Sequence, residues 1–209
     1  MLHPLFVALR FLTRLPIPLT HEISDQHIGR SLLYYPVVGL IIGILLATLH
    51  WLLIDSPATL AAALLLMAWV FITGGLHLDG LSDSADAWVG GLGDRERTLA
   101  IMKDPCCGSM GVVALVVILI VKFAALQTLI NTGDVYALVL APVIARSAIP
   151  ALFLLTPYVR IQGLGTPIVE HLPRRDAMIV TGLVVIAIPL FAGQSGFCML
   201  LYCITVFAI

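Results

Sequence analysis

The sequence predicts an all-α, polytopic integral membrane protein: a helical bundle of about six transmembrane helices with an N-terminal interfacial helix. Three observations predict it. Hydrophobic residues fill 60% of 209 positions and charged residues only 11%, less than half of the roughly 25% typical of soluble domains, and the mean hydropathy is +1.08. The apolar residues gather in runs of about 20, the length that crosses a hydrocarbon core of roughly 30 Å. The basic residues gather in alternate connections between those runs, which is the asymmetry that orients a membrane protein.

The N-terminal segment, 1–33, opens with MLHPLFVALRFLTRLPIPLT. It predicts an interfacial helix of about one to three turns, with Arg10 and Arg14 at i, i+4, stopped by Pro16 and Pro18. Two arginines inside the apolar stretch, and no small-residue cleavage site after it, exclude a cleaved signal peptide. Five spans follow, approximately 34–54, 57–76, 110–130, 136–156 and 177–193. A sixth run, from Gly196 to Ile209, is shorter than a comfortable crossing, so either this helix is short or the natural protein continues.

Nine of the eleven Lys and Arg residues lie in segments 1–33, 77–109 and 157–176, and none lies in the turns around Asp55, Asn131 or Gln194. The positive-inside asymmetry places those three segments in the cytoplasm, and the expected location is the cell (inner or plasma) membrane. The chain thus reads as one integral membrane domain, 1–209, with an Asp-rich, cytoplasmic catalytic loop at 77–109. The two remaining bases, Lys122 and Arg146, sit inside predicted spans. An unpaired base there costs roughly 2.5–3.5 kcal/mol on insertion scales, which calls for a polar cavity or an acidic partner.

Nucleic acid is excluded as a partner, because the bases form no stripe that neutralises phosphates. The cysteines, Cys106, Cys107, Cys198 and Cys203, show neither a Cys-x-x-Cys pair nor zinc-ligand spacing, and neighbours 106 and 107 are geometrically poor disulfide partners.

Chemistry concentrates in GGLHLDGLSDSADAWVGGLGDRERTLAIMKDPCCGSMG, residues 74–111, which holds five of the nine aspartates. Asp79, Asp83 and Asp86 stand at i, i+4, i+7, so at about 100° per residue they share one helix face. Close carboxylates repel one another unless a cation sits among them. Mg²⁺ takes carboxylate oxygens together with substrate phosphates, and Asp104 is a candidate fourth ligand. The plain alternative, a solvated acidic face, fits poorly with a charge-poor chain whose aspartates crowd at a membrane boundary among glycines. Gly108 and Gly111 present backbone amides at the start of the next span, a favourable place for an anion, and with Lys103 they are candidate substrate-binding positions. His77 reads as a general base, a ligand or an ordinary interfacial polar residue.

With FLTRLPIP at 11–18, YYPVVGLIIG at 34–43, GGLHLDGLSDSADA at 74–87, IMKDPCCGSMG at 101–111, ARS at 145–147 and GLG at 163–165, the chain resembles the cobalamin synthase family, the adenosylcobinamide-GDP ribazoletransferases. The resemblance implies a Mg²⁺-dependent membrane enzyme of late cobalamin biosynthesis. Its reaction joins adenosylcobinamide-GDP to α-ribazole, or its 5′-phosphate, giving adenosylcobalamin, or its 5′-phosphate, and GMP. Carried over by position, it assigns Asp79, Asp83 and His77 to catalysis. Asp79, Asp83, Asp86 and Asp104 go to the metal, and Arg14, Lys122 and Arg146 to substrate phosphates or the corrinoid. The expected partners are these small molecules and the lipid bilayer; a homo-oligomer is compatible with the sequence.

Three departures from the family pattern stand out. Ala87 replaces the usual glycine after the third aspartate, and Pro105 and Cys106 replace a serine and a basic residue. A terminal element resembling GGxTGDxLGA has no counterpart, so the resemblance implies a family member lacking its C-terminal part. Other readings of the acidic loop are a CDP-alcohol phosphotransferase, an isoprenoid prenyltransferase, a cation-coupled transporter and a structural membrane subunit. The first two would show further Asp motifs, transport would show a midplane cluster and an internal repeat, and aspartate crowding argues against a purely structural role.

Overall fold

The computed structural model of the chain describes residues 3–18, 24–159, 163 and 165–187, and all regular structure among them is helical. The helices are α1 (His3–Leu12), α2 (Asp25–Ser31), α3 (Tyr35–Leu52), α4 (Ala58–Thr73), α5 (Leu76–Gly91), α6 (Arg95–Ile101), α7 (Ser109–Thr132), α8 (Val135–Leu155) and α9 (Thr166–His171). Residues 174–187 are helical as well. The chain divides into two compact units, Met1–Trp51 with Asp134–Ile209, and Leu52–Gly133.

In the first unit α1 is the expected N-terminal helix. It buries Pro4, Ala8, Leu9 and Leu12 and leaves Arg10 and Arg14 exposed. The helix ends before either proline, and the Thr13 hydroxyl donates to the Leu9 carbonyl at 2.6 Å. The first span begins earlier than its apolar run. Ser24 caps α2 by accepting from the His27 amide, and a 3₁₀ turn over Leu32–Tyr34 carries the chain into α3, so the helical run is Asp25–Leu52. Hydropathy marks where the lipid begins, whereas the cap marks where the helix begins.

Helix α3 turns Tyr35, Val38, Gly39, Ile42, Gly43 and Leu46 inward, a stripe of period 3.6. Its glycines set the contact with α8. A Cβ at Gly39 would lie 2.5 Å from the Pro142 carbonyl oxygen, and one at Gly43 would lie 2.7 Å from Val139 Cα. Small residues four apart let two membrane helices meet backbone to backbone.

In the second unit α4 packs on α7, and α5 packs on both α6 and α7. The α4–α7 contact includes Gln127 Nε2 donating to Thr59 Oγ1 at 2.8 Å. Lys122 Nζ lies 4.1 Å from the centre of the Trp69 ring. An aromatic π face is therefore one contact of this cation, and the electron-rich ring attracts the ammonium by about 0.5–2 kcal/mol.

Among the described residues three helical runs are long and apolar enough to cross a membrane, Asp25–Leu52, Ser109–Thr132 and Val135–Leu155, with a fourth if the sharply bent pair α4 and α5 counts as one span. These match the expected spans at 34–54, 110–130, 136–156 and 57–76. The expected span at 177–193 is helical as far as residue 187; its remainder, and the run from 196 to 209, lie outside the described residues.

Candidate active site on the bent helix pair

Helix α4 stops where Gly74 enters the left-handed region at φ 64°, and Gly75 follows at φ 71°. Two successive positive φ values turn the chain by 87°, so α5 runs across the end of the apolar helix instead of prolonging it. Glycine adopts this conformation without the steric cost a Cβ imposes. The consequence is functional. The acidic sequence remains helical, and its period brings Asp79, Asp83 and Asp86 to one side, as the spacing predicts.

The three carboxylates differ in their surroundings. Asp79 is exposed and Asp83 half-buried, and among the described residues neither carboxylate has a hydrogen-bond or salt-bridge partner. Asp86 is half-buried and occupied: Oδ2 accepts from the Gly108 amide at 2.7 Å and Oδ1 from the Gly111 amide at 2.9 Å. The two amides expected to face an anionic ligand thus face a carboxylate of the protein. Ser82 and Cys107 join the same junction, with Oγ and Sγ 3.0 Å apart. The sequence reading singled out neither of them for this site; Ser82 stands four residues before Asp86 on the side of α5 that meets α7, which is the signal that was available.

Asp104 is exposed in the turn after α6, and its Oδ1 accepts from the Cys106 amide at 2.9 Å. Lys103 beside it is exposed. Among the described residues no group of three or more His, Cys, Asp or Glu is arranged to hold a metal ion. The free pair, Asp79 and Asp83, is a donor set that suits Mg²⁺ when substrate phosphates supply the remaining oxygens. His77 also lies on α5, but helical geometry puts it roughly 120–180° around the axis from the three aspartates. It belongs to an exposed side shared with Leu81 and Trp88. In the first unit Arg14 is exposed just after α1, whereas Arg146 is 5% exposed within α8, with its Nε lacking a hydrogen-bond partner.

Beside Asp104 the Cys106 thiol is pushed above its ordinary value, first by a hydrogen bond to that carboxylate and then by its charge. A raised thiol pKa leaves less thiolate at a given pH. In Asp104→Asn, iodoacetamide modification of Cys106 at pH 8, followed by peptide mass mapping, is therefore expected to be faster than in the wild type. Its pH profile should shift to lower pH. An unchanged profile would show that the Asp104 contact does not persist in solution.

Residues 4–209 match the family model described as cobalamin-5-phosphate synthase. A Pseudomonas fluorescens protein named adenosylcobinamide-GDP ribazoletransferase is 54% identical over 193 residues, covering 92% of this chain and 79% of its own length. Proteins of the same name from Pseudomonas savastanoi and Pseudomonas paraeruginosa are 52% and 53% identical. Those matches cover 98% and 99% of this chain and 84% of each relative. No solved structure matches the chain. A match over nearly the whole sequence, at more than half identity, establishes that the chain belongs to the cobalamin-5-phosphate synthase family, the adenosylcobinamide-GDP ribazoletransferases, enzymes of cobalamin biosynthesis.

Proposed function

We propose that the chain joins adenosylcobinamide-GDP to α-ribazole, or its 5′-phosphate, releasing GMP, and that Asp79 and Asp83 hold the Mg²⁺ this reaction uses. The observation that carries the proposal is a pair of carboxylates one turn apart on one face of α5, free of partners among the described residues. When bound, Mg²⁺ supplies charge neutralisation at the diphosphate oxygens and at the departing GMP. The attacking ribose hydroxyl forms its bond to the phosphorus next to the aminopropanol linker as the bond from that phosphorus to the bridging oxygen breaks. We assign acceptance of the hydroxyl proton to a carboxylate of this face. His77, around the helix from it, is not the group we favour for that step. Lys103 is the cation of this segment assigned to substrate phosphate, and Arg14 and Arg146 are assigned as anion contacts.

We further place the protein in the cell membrane with residues 77–109 facing the cytoplasm. The base asymmetry supports this orientation. The apolar side of α5, with Leu81 and Trp88 exposed opposite the carboxylates, suits a helix lying in the interface.

The test is GMP release from adenosylcobinamide-GDP and α-ribazole by membranes containing the protein. Activity is expected to vanish in excess EDTA and to return on adding Mg²⁺ but not Na⁺. Undiminished turnover with all divalent cations chelated would reject the metal assignment.

A further inference from the structure

Asp86 shares a helix face with Asp79 and Asp83, yet it is engaged in a different task. Both of its oxygens accept backbone amides, from Gly108 at 2.7 Å and Gly111 at 2.9 Å. Gly108 is the N-cap of α7, and no side chain of its own caps the helix. The first amides of a helix have no carbonyl partner within it, and an N-cap side chain normally accepts one of them. Here the acceptor comes from another helix, and its negative charge sits at the positive end of the α7 dipole.

The surroundings are shaped to this carboxylate. A Cβ on Gly108 or on Gly111 would collide with the Asp86 carboxylate, and one on Gly111 would also collide with Ser82 Oγ and lie 3.1 Å from Cys107 Sγ. Glycine at both positions therefore leaves the space that the Asp86 carboxylate occupies, at φ values that demand nothing special of the backbone. The 3.0 Å contact of Ser82 with Cys107 closes the same seam one turn earlier on α5.

We infer that Asp86 is a positioning residue: it caps α7 from α5 and thereby fixes the rotation of the face that carries Asp79 and Asp83, and it is not itself a metal ligand. This deepens the proposed function and rests on Asp79 and Asp83 being the metal pair.

Two measurements on the full chain in detergent test it. The first is hydrogen exchange of the segment 107–113 without divalent cations. Asp86→Asn turns an amide donor toward one of the two N–H groups, and loss of a charge-assisted bond is expected to speed exchange there about ten- to hundred-fold. Gly111→Ala should have the same effect by pushing the carboxylate away, and Asp79→Asn should have none. The second is Mn²⁺ binding by electron paramagnetic resonance, with Mn²⁺ as the probe. Asp79→Asn and Asp83→Asn, which each remove a ligand, are expected to weaken binding about ten-fold or more, whereas Asp86→Asn, which disturbs only the support of the face, is expected to weaken it clearly less than either. Unchanged exchange in both Asp86→Asn and Gly111→Ala overturns the inference. So does a loss of Mn²⁺ affinity in Asp86→Asn equal to that in Asp83→Asn. Unaltered Mn²⁺ binding in Asp79→Asn and Asp83→Asn would instead overturn the metal-pair reading, with the exchange data still judging the cap.

Discussion

Asp79→Asn is expected to lower GMP release by about 10²–10³-fold, the scale on which removing one electrostatic contact from a reacting centre acts, and to leave the fold intact. Asp79 is exposed, and no partner among the described residues depends on its charge. An exposed change of this kind usually moves stability by no more than about 0.5 kcal/mol. The direction is predictable too. Asp79 and Asp83 are like charges at i, i+4, a spacing that destabilises a helix by about 0.2–0.5 kcal/mol, so neutralising one of them relieves repulsion. Activity and thermal midpoint should therefore part company, the first collapsing while the second holds or rises slightly. A midpoint that falls together with activity would show that Asp79 supports the fold. Turnover like that of the wild type would remove Asp79 from the chemistry altogether.

That opposition was legible in the sequence because helical periodicity is local. The spacing 79, 83, 86 puts the three aspartates on one side wherever the segment is helical, and α5 is helical from Leu76 to Gly91. The same period separates His77 from them. It is two residues from Asp79 in the sequence and on another side of the helix, because successive helical residues turn by about 100°. What the sequence did not disclose depends on which helix meets which. The amides that engage Asp86 lie 22 and 25 residues ahead of it, and nothing in the pattern says that the start of α7 closes on α5. Lys122 is similar: hydropathy announced a costly cation within a span, but its aromatic partner, Trp69, belongs to another helix. The glycines divide along the same line. Gly74 and Gly75 act on their own chain, ending α4 by positive φ inside the expected span 57–76, whereas Gly39 and Gly43 acquire a reason only when the backbone of α8 lies against them.

Arg146→Met is expected to stabilise the ligand-free protein and weaken its hold on substrate. The side chain is 5% exposed on a helix long and apolar enough to cross a membrane, and its Nε is buried without a hydrogen-bond partner among the described residues. Such a donor costs about 1–3 kcal/mol relative to a satisfied one. Pro150, four residues on in the same helix, lacks the N–H that an uninterrupted helix would offer the Arg146 carbonyl. Methionine has comparable length, fills the space and removes the unpaired donor, so the thermal midpoint should rise. A group kept at such a cost fits the assigned role as an anion contact, because a charge-assisted hydrogen bond formed on binding would offset the deficit. Losing it should weaken binding of adenosylcobinamide-GDP by about ten- to hundred-fold, the equivalent of roughly 1.5–3 kcal/mol. Thermal unfolding with and without this ligand reads both effects, since stabilisation by a ligand grows with its concentration relative to Kd. A midpoint lower than that of the wild type would mean that the guanidinium is paired in the native protein. An unchanged ligand-induced shift would mean that the buried charge serves something other than this substrate.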